Sequence, residues 1–245
     1  MDPRLVLIDD RLKDIKRLII VAGGKGGIGK SMIASTLALV LSDAGYRVGL
    51  IDLDFCGPSA HAILDIKGIF PREDKGIIPP EVNGMKFMSI TFYAGNNPSP
   101  LRGIDISNAM IEVFAITRWG SLDYLIIDMP PGIGDTTLDT IRLIKRAEFL
   151  IVATPSRVAL ETVEKTLRIL KEMKIPIIGV IENMKITKSQ RVEECARKFD
   201  VPLLGEISFD PDLEESVGDR DRLLNTNFAK KLRYIVSGTS GLKLN

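Results

Sequence analysis

Eight consecutive residues constrain this chain more than any others: Gly24, Lys25, Gly26, Gly27, Ile28, Gly29, Lys30 and Ser31. They fit the pattern G-x-x-x-x-G-K-S/T. They stand between an uninterrupted apolar run at 18–21 and a helical apolar pattern at 32–41. A strand that feeds a helix through such a loop lets backbone N–H groups turn inward around a polyanion, and the start of the helix adds a positive dipole end. In that setting Lys30 reaches the β- and γ-phosphates of a nucleotide, and the Ser31 hydroxyl ligates Mg²⁺. An ordinary turn before a helix needs only one or two glycines. Four of them followed by Lys-Ser argue for a phosphate site.

The rest of the chain supplies a scaffold of matching kind. Apolar runs at 18–21, 48–51, 86–90, 124–127, 149–153, 177–181 and 203–206 read as strands. Helical patterns alternate with them at 30–43, 106–119, 136–145, 159–174, 189–199 and 228–236. Alternation of this sort predicts an α/β fold: a mostly parallel sheet of about seven or eight strands with helices on both faces. Strands so uniformly apolar fit a sheet covered on both sides. At 245 residues the chain is expected to form one domain, with a short extension at 1–16 and a loose tail at 237–245. The Pro-, Gly- and charge-rich stretch at 66–84 reads as an excursion between βα units, and 96–103 as a loop.

Composition narrows the partners. A net charge of +1 gives no reason to expect nucleic acid. No apolar run approaches a membrane span, and the charged N-terminus has no signal-peptide core, so a cytoplasmic location is expected. The two cysteines, Cys56 and Cys195, are expected as free thiols, and a single histidine, His61, leaves no His-based metal cluster within one chain.

Carboxylates follow the loop at the expected places. Asp52 and Asp54 lie where the second strand ends, and ligand sites of open α/β sheets collect at carboxyl ends of strands. There they can bind Mg²⁺-coordinated water or orient an attacking water. Leu125-Ile126-Ile127-Asp128 reads as a buried strand that delivers a carboxylate to the metal. Met129-Pro130-Pro131-Gly132 then forms a stiff turn able to sense a γ-phosphate.

Several segments together resemble the Mrp/MinD group of P-loop ATPases. Lys25 and Lys30 match its deviant loop, in which the early lysine contacts phosphate across a nucleotide-sandwich dimer. Asp52-Leu53-Asp54-Phe55-Cys56-Gly57-Pro58-Ser59 is similar to its D-x-D-x-x-G-P-S segment, and Leu101-Arg102-Gly103 to its W-R-G-P loop. The stretch from Leu122 to Gly132 is close to L-D-Y-x-I-I-D-x-P-P-G, and Gly179-Val180-Ile181-Glu182-Asn183-Met184 to G-V-x-E-N-M. The resemblance implies an ATPase with ATP or ADP and Mg²⁺ as cofactors, working as a homodimer. It implies catalytic roles for Lys25, Lys30 and Asp54, with Asp54 orienting water. It gives Ser31, Asp52 and Asp128 to the metal, and places Met32, Asn183 and Asp210 with the loop residues against the nucleotide. Asn183 would read the base, and the absence of N-K-x-D favours ATP over GTP.

One departure matters. Mrp-type proteins commonly carry C-x-x-C shortly after E-N-M, where two chains pool thiolates around an iron–sulfur cluster. Here Lys185-Ile186-Thr187-Lys188-Ser189-Gln190-Arg191 occupies that place. The combination resembles an archaeal branch of the family that acts as HypB in nickel–iron hydrogenase maturation, with a HypA-type nickel chaperone as partner. On that reading the segment from Leu5 to Leu12 either docks the partner or packs on its own domain. Cys56 with His61 could ligate nickel or zinc, although a small cysteine and an ordinary histidine explain the pair as well. The competing expectations are an iron–sulfur carrier without the usual cysteine pair and a MinD-like positioning ATPase, whose final basic amphipathic helix would sit on a membrane. A DNA-partitioning ATPase would need a basic surface that the charge balance does not suggest.

Overall fold

The computed structural model describes residues 3–94, 104–132 and 134–239. The loop expected at 96–103, with Leu101, Arg102 and Gly103, lies outside the described residues, as does the chain from 240 onward. In chain order the elements are α1 (Pro3–Leu12), β1 (Ile15–Gly23), α2 (Lys30–Asp43), β2 (Val48–Asp52), α3 (Ala60–Ile63), β3 (Arg72–Glu73), β4 (Ile77–Ile78), β5 (Glu81–Val82), β6 (Met85–Ser89), α4 (Thr91–Ala94), α5 (Ile104–Ile116), β7 (Leu122–Asp128), α6 (Asp135–Leu143), β8 (Glu148–Ala153), α7 (Arg157–Glu172), β9 (Ile177–Lys185), α8 (Arg191–Lys198), β10 (Leu203–Ser208), a 3-10 turn (Pro211–Ser216), α9 (Arg220–Asn225) and α10 (Asn227–Gly238).

Eight strands form one sheet in the order β10-β9-β8-β1-β7-β2-β6-β5. All neighbours are parallel except β5, which runs antiparallel to β6. The expected fold class is therefore the observed one. The middle residues of the central strands are apolar on both faces, because each face is buried against its own helices. Leu18, Ile20 and Ala22 of β1 join a core with α1, α5, α6, α7 and α8. Ile19 and Val21 join a second core with α2, α3, α9 and α10. β1 lies between β7 and β8, so the chain leaves it in one direction for β2 and later returns on its other side. The carboxyl ends of β1, β2 and β7 meet at this point, where open α/β sheets place their ligands.

The two ends of the chain decide between alternatives that the sequence left open, in both cases for packing on the domain itself. The segment from Leu5 to Leu12 is a helix packed on α5, with Ile8 and Leu12 buried. Arg11 Nε donates to the Ala115 carbonyl at 3.1 Å, and Arg146 donates to the Leu12 and Ile15 carbonyls. Its own domain covers this face, while Val6 and Leu7 remain exposed. The apolar stripe of α10, Phe228, Ala229, Leu232, Ile235 and Val236, is buried in the second core. It is not free to enter a bilayer. Among the described residues no helix is long and apolar enough to cross a membrane.

Candidate nucleotide site

The loop from Gly24 to Ser31 joins the end of β1 to the first residue of α2. Its shape depends on left-handed backbone at Gly27 and Gly29, with φ of 78° and 79°. These are values that side-chain-bearing residues rarely adopt. A Cβ on Gly29 would also lie 2.4 Å from Asn183 Nδ2. Nothing stands within 4 Å of a Cβ at Gly26 or Gly27, so the inner face of the loop is open.

Lys30 is buried, and its Nζ lies 2.8 Å from Asp128 Oδ1 and 3.4 Å from Ser31 Oγ. Asp128, at the end of β7, is fully buried, and its second oxygen, Oδ2, has no hydrogen-bond partner. Burial holds the Asp128 carboxyl above the ordinary carboxylate range, with Lys30 opposing the shift. An orphaned carboxylate oxygen beside a serine hydroxyl and an open phosphate cradle is an all-oxygen donor set. That chemistry fits Mg²⁺ and its waters.

Asp52 is placed differently from Asp128. Its Oδ1 accepts the Asp54 N–H at 3.0 Å, and its Oδ2 accepts the Ser59 and Ala60 N–H groups at 3.0 and 3.1 Å. Burial, and then the neighbouring Asp128 charge, raise its pKa. Both oxygens serve to tie the segment after β2 into a turn. Asp54 stands in that turn, accepting the Cys56 and Gly57 N–H groups at 3.2 and 3.0 Å. It faces a cavity of 300 Å³ shared with Lys25, Lys30, Ser31 and Pro131. Lys25 is exposed and has no ion pair among the described residues.

A second cavity, of 350 Å³, opens from the other side of Gly27, Gly29 and Met32. Its walls are Asn183, Met184, Phe209, Asp210, Pro211, Leu213 and Phe228. The first cavity carries the charged side chains Lys25, Lys30 and Asp54 and lies next to the phosphate loop. The second is mostly apolar, which suits a base. Asn183 is buried, and its Nδ2 donates to the Ile28 carbonyl at 2.9 Å. The residue expected to read a base therefore also holds the phosphate loop. Asp210 borders the same cavity, and its Oδ1 accepts the Asp212 N–H at 3.2 Å to cap the following turn.

Sequence reasoning missed what surrounds Asn183. Met184 has a φ of 53°, unusual for a residue with a side chain. The next residue, Lys185, extends Nζ to Glu182 Oε2 at 3.1 Å, Glu206 Oε1 at 2.6 Å and the Ser189 carbonyl at 3.0 Å. An ionic tie thus occupies the segment where the cysteine pair was sought. Cys56 is exposed and Cys195 buried, and burial pushes the Cys195 thiol up to about 11. Among the described residues no three His, Cys, Asp or Glu side chains gather as a metal site. His61 sits on α3 with Nδ1 buried and unpartnered.

Comparison with known proteins agrees with this geometry. The model for the NUBPL iron-transfer P-loop NTPases of the ParA group matches residues 14–238. An iron–sulfur cluster carrier protein of Aquifex aeolicus is 36% identical over 221 residues, which are 84% of this chain and 61% of that protein. One of Saccharolobus solfataricus is 36% identical over 223 residues, 84% of this chain and 75% of the relative. The chain thus spans under two thirds of the Aquifex relative's length. A nucleotide-binding protein of Archaeoglobus fulgidus, solved in complex with ADP, superposes with a TM-score of 0.78 at 30% identity, covering 93% of this chain and 96% of its own. The septum site-determining protein MinD of Pyrococcus horikoshii shares the fold, with a TM-score of 0.68 at 20% identity over 93% of this chain and 98% of its own.

Proposed function

This chain belongs to the NUBPL iron-transfer family of P-loop NTPases, and from that premise we propose that it is a Mg²⁺-dependent ATPase of metallocentre assembly that works as a nucleotide-switched homodimer. The observation that carries the reading is the buried Lys30–Asp128 pair, with Asp128 Oδ2 left over beside Ser31. A phosphate arriving in the cradle draws Lys30 away from Asp128, because a polyphosphate is the stronger partner for an ammonium in that loop. Asp128 and Ser31 would hold Mg²⁺ and its waters there, and the ion would supply charge neutralisation to the phosphates. Asp52 keeps the 54–60 segment folded through its backbone hydrogen bonds, so that Asp54 can orient the attacking water from the same cavity. Lys25, exposed at the mouth, is left to reach a phosphate in a second copy.

Adenine preference has a physical basis in Asn183. Its Nδ2 commits one N–H to the Ile28 carbonyl, so the side-chain oxygen and one N–H remain for a base. That acceptor and donor together match the exocyclic amine and N7 of adenine. Calorimetric titration with ADP and GDP, with and without Mg²⁺, tests the reading. Tighter ADP binding that depends on Mg²⁺ is expected, and equal or tighter GDP binding would overturn it.

For the cargo, the relatives' names support iron–sulfur transfer over the nickel role. Such clusters normally want four thiolates. With Cys195 buried, this chain offers at most Cys56, so the cargo's ligands come mainly from the protein that delivers or receives it. One observation favours a second reading: the Lys185 tie stands in the place of the cysteine pair, as expected of a helper to a HypA-type nickel chaperone. Metal analysis after anaerobic reconstitution, set beside nickel titration of such a chaperone with and without this protein, separates the two.

A further inference from the structure

The base cavity and the phosphate cavity share Gly27, Gly29 and Met32, and each is bordered by a short piece of chain from elsewhere in the sequence. At the base cavity this piece is the 3-10 turn, which contributes Pro211, Leu213 and Glu214. The same turn borders a groove of 1120 Å³ along β10 through Pro211 and Asp212. At the phosphate cavity the piece is α3 with the residues before it, which contribute Ile63, Ser59 and Gly57.

Each piece is braced internally. In the turn, the Leu213, Val217 and Asp219 N–H groups donate to the Asp210, Glu214 and Ser216 carbonyls at 3.3, 3.2 and 3.2 Å. The Asp210 side chain caps its start, and Asp219 caps α9 directly after it. In α3, the Ile63 and Leu64 N–H groups donate to the Ser59 and Ala60 carbonyls, both at 3.1 Å. Asp52 in turn holds the N–H groups of Ser59 and Ala60. A backbone hydrogen bond joins the two pieces: the Gly218 N–H donates to the Ile63 carbonyl at 3.0 Å. Gly218 has a φ of 85°, in the left-handed region that residues with side chains rarely adopt. A Cβ there would lie 3.6 Å from the Asp65 Cβ, an ordinary contact. The backbone conformation, and not a lack of space, is what asks for glycine.

From this bond and the bracing on both sides of it, we propose that Gly218 is a positioning residue for hydrolysis, through which a base in its pocket steadies the water-orienting segment. The inference rests on the ATPase reading given above. A base against Pro211 and Leu213 restrains the 3-10 turn. The turn fixes Gly218, Gly218 fixes the Ile63 carbonyl, and α3 keeps Ser59 and Ala60 on one oxygen of Asp52. The other oxygen of Asp52 holds the Asp54 N–H, so Asp54 is set by the same carboxylate. With the base pocket empty, the segment from Asp54 to Ile63 loses that restraint. The coupling is that of one backbone hydrogen bond, a factor of about five in rate. It gives the base a part in catalysis as well as in binding.

The test uses the full chain with ADP and with inorganic pyrophosphate. Both ligands fill the phosphate loop, but only ADP fills the base pocket. Hydrogen–deuterium exchange across residues 59–66 should therefore slow more with ADP than with pyrophosphate. In Gly218→Ala the left-handed backbone is strained, and the two ligands should protect 59–66 alike. The same variant should lower kcat for ATP roughly fivefold, with KM and ADP affinity unchanged. Gly218→Asn tolerates a left-handed backbone and should restore both readouts. Gly45→Ala controls for strain alone. Gly45 follows α2 with a φ of 87° and nothing within 4 Å of its would-be Cβ, so its variant should lose similar stability while kcat and the exchange difference stay as in wild type. The inference is overturned if ADP and pyrophosphate protect 59–66 alike in wild type, if Gly218→Ala keeps the wild-type difference, or if its kcat falls no further than that of Gly45→Ala. A fall in ADP affinity that matches the fall in kcat would make Gly218 a structural residue only and would equally overturn it. No ATP hydrolysis by wild type, with the exchange difference intact, would instead overturn the ATPase reading, and the role in hydrolysis with it.

Discussion

Two lysine–carboxylate pairs sit near the ends of strands in this molecule, and they look alike until their surroundings are compared. Lys30 meets Asp128 at 2.8 Å, and Lys185 meets Glu182 at 3.1 Å. Both carboxylates are fully buried, and each keeps one oxygen without a partner. The lysines differ. Lys185 is held by a second carboxylate, Glu206, and by the Ser189 carbonyl. Lys30 has only the Ser31 hydroxyl at 3.4 Å in addition, and an open cradle in front of it. The first pair is arranged to exchange partners, whereas the second joins three pieces of backbone permanently. The same chemistry serves a switch in one place and a clamp in the other, and the number of remaining ligands decides which.

The largest expected effect breaks the exchangeable pair. Lys30→Ala should lower ADP affinity about a hundredfold, since a charge-assisted contact to phosphate is lost. It should also destabilise the nucleotide-free protein by about 3 kcal/mol, because Asp128 is left buried and unpaired. Calorimetry and urea unfolding measure the two losses. Lys185→Met should reproduce only the second, at about 3 kcal/mol, and leave ADP affinity within a few-fold of wild type. Adding Glu182→Gln to it should restore part of the stability. If Lys185→Met abolished nucleotide binding, the clamp would have to be counted as part of the switch.

A smaller effect sharpens the account of the exchangeable end. Asp54→Asn should bind ADP normally and hydrolyse ATP at least about tenfold more slowly, the smallest loss expected when a water-orienting group is removed. Lys25→Ala should bind ADP normally but fail to dimerise in ATP, as read by light scattering. A variant that dimerises like wild type would reduce Lys25 to a surface lysine.

The smallest effect concerns pH. Burial raises the pKa of Glu182 above its ordinary 4.5, with Lys185 opposing. The native state then holds this proton more tightly than the unfolded chain does. The stability linked to Glu182 is fully present below pH 4.5 and is lost as the pH rises through the native value. Wild type should therefore lose stability relative to Glu182→Gln across that window in unfolding titrations. Parallel curves would show that Glu182 does not titrate in this way.

The sheet was legible because its strands are buried on both faces, and a run such as that in β1 leaves no polar residue to confuse the reading. The short elements were not. β3, β4 and β5 have two residues each and carry no period. α9 is six residues long and is recognisable mainly by its Asp219 cap. At the site, the phosphate loop announced itself through glycine spacing, and Asp128 through a buried strand. The contacts that join these parts did not, because they connect residues 98 and 155 positions apart: Lys30 to Asp128 and Ile28 to Asn183. Asn183 was read from its resemblance to a base reader, while its grip on the loop depends on a close approach that only Gly29 permits. The clamp at Lys185 was hidden for a related reason. Glu206 meets it only because β9 and β10 are neighbours.

Residues 208–211 form a wall with a cavity on each side, the base pocket on one and the β10 groove on the other. No relay across the domain is needed for these two compartments to sense each other. A shift of Phe209 or Pro211 changes the volume of both at once. Whatever factor a nucleotide imposes on the affinity of the groove, an occupant of the groove must impose on the nucleotide, since coupling free energy is reciprocal. The partition therefore joins the two compartments directly, through residues 208–211.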